Sequence, residues 1–319
     1  MPSERSKVRV AAAQARPIWL DPAATAKKAV AWLEQASRQD VDLVVFPEAF
    51  LPGYPFWVEH TGGARFNDPA QKMAYAAYVS AAVEATGPEL TSLTQAAADL
   101  GIFVYLGGVE RAVDQAAGTV FCTLFAIDPA SGLVGAHRKL MPTYEERLVW
   151  GFGDGHGLRV HRAASIRAGG LNCWENWMPQ ARHALYAQGE ELHVSVWPGN
   201  PRNTIDITRF IGLEGRVFSL AANGLLSLAD VPAGFPLYDQ LAQLPVTDYC
   251  TGGSAIAGPD GTWIAEPLVG EERLIIADLD LSRLHAERQN FDPAGHYARP
   301  DVFQVTVNRA RIRASRFTD

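Results

Sequence analysis

Short apolar runs alternate with segments of helical periodicity along almost the whole chain. Short apolar runs bounded by glycine, proline or aspartate are typical of buried strands. Longer segments in which apolar residues recur every three or four positions predict amphipathic helices. The pattern predicts strands at residues 8–14, 42–46, 102–107, 119–127, 133–137, 192–197, 224–228, 254–257, 262–265 and 273–278, and helices at 23–36, 70–100 with a break near Gly87-Pro88, 180–188 and 207–221.

The order of these elements predicts an α/β protein with mixed sheets. Strands followed by helices favour parallel pairing, whereas the turns at 128–132 and 258–261 predict antiparallel hairpins. No linker or internal repeat divides the sequence. We therefore predict a single domain over residues 1–319, in which 290–319 form an extended, arginine-bearing C-terminal tail that lies over the body or over a neighbouring subunit.

Composition and charge narrow the classes of function. Of the 319 residues, 48% are hydrophobic and 20% are charged, as in ordinary globular proteins. A formal net charge of −7 argues against a surface for nucleic acid or an anionic membrane, so we predict neither partner. No apolar stretch is long enough to predict a membrane span, and residues 1–8 lack the apolar segment of a signal peptide.

The chain has three cysteines, and one of them stands at an unusual place. Cys122, Cys173 and Cys250 form no CxxC pair, which predicts reduced thiols in a cytoplasmic protein. Cys122 lies within a strand-like run and is interpreted as packing. Cys173 lies between a strand-like run and the helix that begins near Pro179, where free N–H groups and the helix dipole favour a thiolate. Cys173 is therefore a candidate nucleophile, and a buried small hydrophobe is the alternative.

Two further apolar runs end in chemically useful side chains. Glu48 follows a proline after the strand predicted at 42–46, and Lys139 leaves the strand predicted at 133–137. Sites in open α/β sheets gather beyond the carboxyl ends of strands, so the three strand ends could converge. A carboxylate can take a thiol proton and an ammonium can stabilise developing negative charge. A surface ion pair between Glu48 and Lys139 is the alternative.

Motifs surround all three candidates. They are FPEAFLPGYP at 46–55, HRKLMPT at 137–143, Glu146-Arg147 followed by Trp150-Gly151, GDG at 153–155 and CWEN at 173–176. In this order they resemble the signature of the nitrilase superfamily, the carbon–nitrogen hydrolases with a Glu–Lys–Cys triad. The resemblance is closer to the true nitrilase branch than to the amidases, and it extends from Val8 to about Pro300.

The resemblance implies roles for four residues. Glu48 would be the general base, Lys139 the stabilising cation, Cys173 the nucleophile and Glu146 the second glutamate that positions substrate and water. The implied fold is a four-layer α-β-β-α sandwich with mixed sheets. Subunits of the family pair through their helical layers, so we expect a homodimer or a larger homo-oligomer or spiral to which C-terminal tails contribute.

The implied reaction converts an organic nitrile to a carboxylic acid and ammonia through a thioimidate and a thioester on Cys173. Lys139 and the backbone N–H of Trp174 would hold the charge that builds on the substrate. The reaction needs no metal or organic cofactor, and the sequence contains no metal-ligand spacing. Aromatic residues near the motifs suit an aromatic nitrile or an arylacetonitrile, and Tyr54 is the favoured substrate contact. This aromatic group comprises Tyr54, Phe56, Trp57, Tyr144, Trp150, Trp174, Trp177 and Trp197.

Alternatives remain open at this point. An amidase that acts on carboxamides, a cyanide dihydratase, or a non-enzymatic member of the superfamily would carry a similar motif order. Glu175 is interpreted as a structural anchor of the nucleophile turn, and His296 as a residue that helps to shape the site. The sequence departs from the family pattern in the loop 158–169 and at Asn172, the polar neighbour of Cys173.

Overall fold

The protein folds as two β-sheets packed face to face between layers of helices. The computed structural model describes residues 7–114 and 118–315. One sheet has six strands and the other has seven, and helices cover the outer face of each. This arrangement confirms the predicted four-layer α-β-β-α sandwich with mixed sheets.

The strands account for both sheets. Their bounds are β1 (Lys7–Gln14), β2 (Leu43–Val45), β3 (Phe103–Arg111), β4 (Val120–Asp128), β5 (Gly132–Arg138), β6 (His161–Ala163), β7 (Ile166–Asn172), β8 (Leu192–Trp197), β9 (Phe218–Asn223), β10 (Leu225–Ser227), β11 (Asp248–Ala257), β12 (Trp263–Val269) and β13 (Arg273–Asp280). The six-stranded sheet has the order β13-β1-β2-β3-β4-β5. The seven-stranded sheet has the order β10-β11-β9-β8-β7-β6, with β12 paired to β11.

The described residues form more helices than the sequence pattern predicts. The α-helices are α1 (Pro22–Ser37), α2 (Trp57–His60), α3 (Pro69–Ser80), α4 (Pro88–Leu100), α5 (Pro179–Tyr186), α6 (Pro201–Gly215), α7 (Tyr238–Ala242) and α8 (Ser282–Arg288). Short 3₁₀ turns occupy Tyr144–Leu148, Gly155–Gly157, Cys173–Trp177 and Leu228–Asp230.

Alternation along β1 explains why the six-stranded sheet is buried on both faces. Val8, Val10 and Ala12 pack in the core between the two sheets. Ala11 and Ala13 point the other way and pack against α1 and α4. Successive side chains of a strand point to opposite faces, so a run that is apolar throughout needs cover on both sides.

Helix α1 shows how local sequence defines an element that covers the sheet. The Asp21 carboxylate accepts a hydrogen bond from the Ala24 N–H at 2.9 Å, and Pro22 occupies the first turn. Both features are typical of a helix start. The buried residues of α1 recur at helical spacing on one face: Thr25, Ala26, Ala29, Leu33 and Ala36.

Two predicted helices were partly wrong. Residues 207–221 were predicted as one helix, but α6 ends at Gly215 and β9 begins at Phe218. Arg216 adopts a left-handed conformation with φ 49°, which ends the helix. The predicted helix 70–100 breaks near Gly87-Pro88 as expected, but its first part already ends at Ser80. The backbone of Val83 then pairs with β3, and periodicity alone does not predict such long-range pairing.

Strand direction places three strand ends at one edge of the six-stranded sheet. β2 is parallel to β3, and β4 is antiparallel to both β3 and β5. β2 and β5 therefore point the same way, and β4 starts where they end. Residues that follow β2 and β5, together with the first residues of β4, meet at this edge.

The C-terminal segment lies against the loop that follows β5. The Arg311 guanidinium contacts the Asp154 carboxylate at 3.1 Å and donates to the Ala136 carbonyl at 2.9 Å. Arg309 donates to the Leu158 carbonyl at 2.9 Å. Arg316 and residues 1–6 lie outside the described residues. Among the described helices, none has the length and apolar character needed to cross a membrane.

Candidate active site

Glu48 and Lys139 form a buried ion pair at the edge where β2 and β5 end. Lys139 Nζ lies 2.8 Å from Glu48 Oε1, and both side chains are fully buried. Gly107 of β3 permits this approach, because a Cβ at that position would lie 2.0 Å from the Pro47 carbonyl oxygen. The alternative of a surface ion pair is therefore excluded.

Glu146 adds a second carboxylate to Lys139. It lies in the 3₁₀ turn Tyr144–Leu148, where its Oε2 accepts hydrogen bonds from Lys139 Nζ at 2.7 Å and from the Thr143 N–H at 2.6 Å. The Tyr54 hydroxyl donates to Glu146 Oε1 at 2.8 Å. The ammonium of Lys139 thus lies between two buried carboxylates, and Tyr54 holds one of them in place.

Cys173 comes to this cluster from the other sheet. It follows β7 and starts the 3₁₀ turn Cys173–Trp177 with a left-handed φ of 49°. The thiol and one carboxylate oxygen each of Glu48 and Glu146 lie within 4.8 Å of one another. A left-handed conformation is costly for a residue with a Cβ, and such strain is commonly found at functional sites.

A buried hydrogen-bond network holds the strained turn in place. Asn176 donates from Nδ2 to the Cys173 carbonyl at 2.8 Å. Its Oδ1 accepts from Ser195 Oγ at 2.8 Å and faces His193 Nε2 at the same distance. His193 in turn contacts the Glu190 carboxylate at 3.1 Å. Polar groups of β8 therefore fix the backbone carbonyl of the candidate nucleophile.

Glu175 joins the two halves of the site. Its Oε2 accepts the Asn172 N–H at 2.8 Å, and its Oε1 accepts the Leu140 N–H at 2.5 Å. Asn172 precedes Cys173, and Leu140 follows Lys139. His137 of β5 also contacts the Glu175 carboxylate at 3.1 Å. A single side chain therefore ties the nucleophile turn to the strand end that carries the lysine, as expected of a structural anchor.

The environment of Cys173 differs from the thiolate-favouring junction that the sequence predicts. Burial raises the pKa of the Cys173 thiol well above its usual value, although Lys139 and the backbone N–H of Trp174 act in the opposite direction. Glu48 and Glu146 raise the pKa further. The desolvation cost of a buried thiolate thus outweighs its stabilisation by Lys139 and by the N–H group at the start of the 3₁₀ turn. The resting site therefore holds a thiol, which needs a base in order to react.

Glu48 is suited to be that base. Burial raises the pKa of Glu48 to about 7, although Lys139 lowers it. A carboxylate with a pKa near neutrality can accept a proton and return it. Burial disfavours the ammonium of Lys139. A Cys173 thiolate, once formed, and the carboxylates of Glu146 and Glu48 outweigh this and raise the pKa of Lys139, which stays charged.

The same donor set has the composition of a metal site. Glu48, Glu146 and Cys173 could offer three ligand atoms, a grouping that residue spacing in the sequence did not indicate. The Lys139 ammonium already lies against both carboxylates at 2.8 and 2.7 Å, so a cationic group of the chain compensates their charge. These contacts favour a lysine-based site at this position.

The aromatic residues near the motifs divide into core and surface groups. Phe56 and Trp57 pack in a cluster with Trp19, and Trp197 is fully buried beneath Cys173. Trp174 is 47% exposed, and its ring stacks on that of Trp177, with centroids 6.2 Å apart. Only part of the predicted aromatic group is therefore available to a ligand.

The structure also places Glu145, His296 and the loop 158–169. Glu145, which directly precedes Glu146, is half-buried. His296 is exposed and packs edge-on against Tyr297, and its role in shaping the site stays a prediction. The loop 158–169 forms a short hairpin of β6 and β7, in which Ala164 takes the left-handed conformation usual for glycine, with φ 52°.

Sequence reasoning missed one buried neighbour of the site. Cys122 of β4 was interpreted as packing, yet its Sγ lies 3.4 Å from Glu48 Oε1 and 3.8 Å from Asn172 Oδ1. The signal that could have found it is position. Cys122 stands near the start of a strand that enters the sheet at the edge where β2 and β5 end.

Comparison with known proteins shows what the chain is similar to. The family model described as carbon–nitrogen hydrolase matches residues 9–289. The chain is 39% identical to the nitrilase blr3397 of Bradyrhizobium diazoefficiens over 91% of this chain and 88% of that one. It is 36% identical to an aliphatic nitrilase of Sinorhizobium fredii, over 95% and 96% of the two chains.

A solved structure shares the fold at low sequence identity. The Nit3 protein of Saccharomyces cerevisiae, a member of branch 10 of the nitrilase superfamily, superposes with a TM-score of 0.70 at 17% identity. The alignment covers 91% of this chain and 96% of that chain. At this identity the likeness concerns the fold alone.

Proposed function

The chain belongs to the carbon–nitrogen hydrolase family, and from that premise we propose that it is a nitrilase that converts an organic nitrile to a carboxylic acid and ammonia. The observation that carries the proposal is the buried cluster in which the Cys173 thiol approaches Glu48 beside Lys139. A nucleophile, a base and a cation in one desolvated site are the parts that covalent hydrolysis needs.

The first half of the reaction forms a covalent adduct. Glu48 accepts the proton of the Cys173 thiol while the sulfur attacks the nitrile carbon. The same proton returns to the nitrile nitrogen, which gives a neutral thioimidate and an ionised Glu48. The pKa of about 7 suits Glu48 to both transfers near neutral pH.

The second half consumes two molecules of water. Glu48 takes a proton from the first water, which adds to the thioimidate carbon, and protonation of the nitrogen lets ammonia leave as a thioester forms. A second water, activated in the same way, releases the carboxylic acid and restores the thiol. Glu146, held by Lys139, Thr143 and Tyr54, is proposed to orient these waters.

Charge that develops on the substrate needs a fixed partner. The Lys139 ammonium and the backbone N–H of Trp174 both favour negative charge on Cys173, because each lowers the pKa of its thiol. Loss of one such preorganised donor typically costs about 10²–10³ in rate. These two groups are therefore proposed as the stabilising pair.

The class of nitrile is the finer part of the proposal. The sequence favours an aromatic nitrile or an arylacetonitrile, and the exposed pair Trp174 and Trp177 supports that prediction. Burial of Phe56, Trp57 and Trp197 in the core removes part of the basis for an aromatic substrate, and a relative from Sinorhizobium fredii is an aliphatic nitrilase.

The class of nitrile is tested with a panel of benzonitrile, phenylacetonitrile and linear aliphatic nitriles, assayed for ammonia. A preference for the linear nitriles would replace the aromatic class, and turnover of cyanide alone would identify a cyanide dihydratase.

An amidase is the main competing function, because the same four residues could act on a carboxamide. Mass spectrometry of products from matched nitrile and amide substrates separates the two. We expect carboxylic acid from the nitrile. Turnover of the amide alone would exclude the nitrilase proposal.

The covalent mechanism has its own test. We expect Cys173→Ala to abolish ammonia release and to leave no substrate adduct in intact-protein mass spectrometry. Cys250→Ala, which also removes a buried thiol, is the matched control and should retain activity. Unchanged turnover by Cys173→Ala would contradict the mechanism and, with it, an enzymatic role for this site.

The assembly of the protein is a further part of the proposal. Ile205, Phe210 and Leu213 leave apolar surface exposed on α6, in the outer layer over the seven-stranded sheet. This surface supports the predicted homodimer or larger homo-oligomer. Multi-angle light scattering would test it, and a monomer at micromolar concentration would contradict it. The cytoplasmic location stays a prediction from composition.

A further inference from the structure

We propose that Cys122 is a positioning residue whose thiol holds one oxygen of Glu48 and leaves the other oxygen free to move protons. The inference rests on the proposed role of Glu48 as the base. It extends that role to a residue outside the motifs that indicated the site.

The position of Cys122 follows from the sheet. β4 runs between β3 and β5 and starts at the edge where β5 ends. The Cys122 carbonyl accepts the Lys139 N–H at 2.8 Å, so the two residues are neighbours across the strands. The thiol is fully buried and faces Glu48 Oε1 at 3.4 Å. This is hydrogen-bond distance for a sulfur donor.

The proton of the thiol has two acceptors within reach. Glu48 Oε1 is the nearer and, when ionised, the stronger acceptor, whereas Asn172 Oδ1 lies 3.8 Å away. Asn172 Nδ2 points toward the His137 carbonyl at 3.5 Å, which leaves Oδ1 turned to the thiol. Cys122 can therefore donate to Glu48 when the carboxylate is ionised and to Asn172 when Glu48 is protonated. The thiol stays paired in both states of the base.

The two oxygens of Glu48 consequently have different surroundings. Oε1 accepts from Lys139 Nζ at 2.8 Å and from Cys122. Oε2 is buried and has no hydrogen-bond partner among the described residues. An ionised carboxylate with one oxygen occupied presents the other to an incoming proton. Oε2 is thus assigned as the oxygen that takes the proton from Cys173 and from water.

The ionisation states of the two groups also favour donation from the Cys122 thiol to the Glu48 carboxylate. Burial raises the pKa of the Cys122 thiol well above its usual value, and Glu48 raises it further, so the group remains a donor. Burial raises the pKa of Glu48, and the hydrogen bond from Cys122 is among the contacts that lower it. Loss of the thiol should therefore make Glu48 harder to ionise.

The experiment compares two substitutions that separate donation from packing. Cys122→Ser keeps a donor but loses volume, whereas Cys122→Val fills the space without a donor. For Cys122→Val we expect kcat/KM on a neutral nitrile to fall roughly 3- to 10-fold at pH 6 and by less than about 2-fold at pH 8.5. Cys122→Ser should restore most of the activity lost at pH 6.

A purely structural role predicts the opposite order. Cys122→Val would then resemble the wild type, Cys122→Ser would be the poorer variant, and neither effect would depend on pH. That outcome would overturn the proposal. Thermal unfolding verifies that each variant folds, and Cys122→Ala replaces Cys122→Val if the latter does not.

A second readout separates this proposal from the proposed nitrilase activity. The rate of Cys173 alkylation by iodoacetamide, followed against pH, reports proton transfer to Glu48 without any nitrile. The alkylation profile of Cys122→Val should shift to higher pH even if the natural substrate is another carbon–nitrogen compound. An unshifted profile would overturn the role of Cys122 whatever the substrate.

Discussion

The two sheets contribute to the site in different ways. The six-stranded sheet supplies a charge cluster in which Lys139 lies between Glu48 and Glu146, and ion pairs hold the side chains. The seven-stranded sheet supplies Cys173 on a left-handed turn, which is held through its backbone. Charged side chains need partners to stay buried, whereas a strained nucleophile needs its main chain fixed. The contrast predicts that substitutions on the two sides fail for different reasons.

The largest effect is expected for Lys139→Met, which tests the charge cluster of the six-stranded sheet. Two buried carboxylates would lose their shared cation, so we expect activity to fall at least about 10³-fold. Unfolding in urea should show a loss of about 3–5 kcal/mol, as when one partner of a buried ion pair is removed. Lys28→Met removes a partly exposed lysine that pairs with Glu272 and is the matched control, expected to retain activity. Full activity of Lys139→Met would mean that the cluster does not stabilise charge.

The link between the two sides is tested by Glu175→Gln. An amide cannot accept both the Asn172 and the Leu140 N–H groups, so the turn of Cys173 should shift relative to Lys139. We expect kcat to fall roughly 10- to 100-fold with a smaller change in KM, because reacting groups lose alignment. Glu145→Gln changes the glutamate that directly precedes Glu146 and is the control, for which kcat should stay near the wild-type value. Equal kcat in both variants would show that Glu175 does not couple the sheets.

The pH profile of the wild type tests whether burial raises the pKa of the proposed base, Glu48. Glu48 must be ionised to accept the thiol proton, so kcat/KM should rise with pH and level off above a pKa of about 7. At pH 6 it should be about 10-fold below the plateau. Thermal unfolding between pH 6 and 8 verifies that the protein stays folded. A rise of kcat/KM between pH 4 and 5 would instead indicate a solvated carboxylate. The inference that burial raises the pKa of Glu48 would then be wrong.

The smallest expected effect concerns Tyr54→Phe. The hydroxyl donates to Glu146, and its loss leaves one carboxylate oxygen without that donor, so we expect a fall in kcat of about 3- to 10-fold. Tyr75→Phe removes a hydroxyl that bonds to the Gly118 carbonyl and serves as the control. A change in KM alone would instead support the prediction that Tyr54 contacts the substrate.

The sequence predicted most elements because their signals are local. The Asp21-Pro22 start of α1 and the apolar runs of β2 and β8 depend on neighbours within a few residues. Prediction failed at 207–221, where apolar residues recur on both sides of the polar break Glu214-Gly215-Arg216 between α6 and β9. Periodicity cannot separate a buried helix from a buried strand there, because long-range pairing decides between them.

The distinction between local sequence signals and long-range contacts also applies to the candidate site. Glu48, Lys139 and Cys173 were predicted because each follows an apolar strand, and Glu146 because it falls in a motif. Cys122 was missed because a cysteine inside a strand looks the same whether its neighbour is an alkyl group or a carboxylate. The role of Glu175 as an anchor was predicted, but its bonds to residues on both sheets were not.

The sequence by itself determined which residues follow the strands, the order of the motifs and the layered α/β class, since all three depend on local pattern. Only the tertiary structure decided that Cys173 rests as a thiol, that the pKa of Glu48 lies at about 7 and that Cys122 contacts the base. Ionisation depends on desolvation and on charges brought together from distant positions in the chain. These are properties of the packed site, and no single segment carries them.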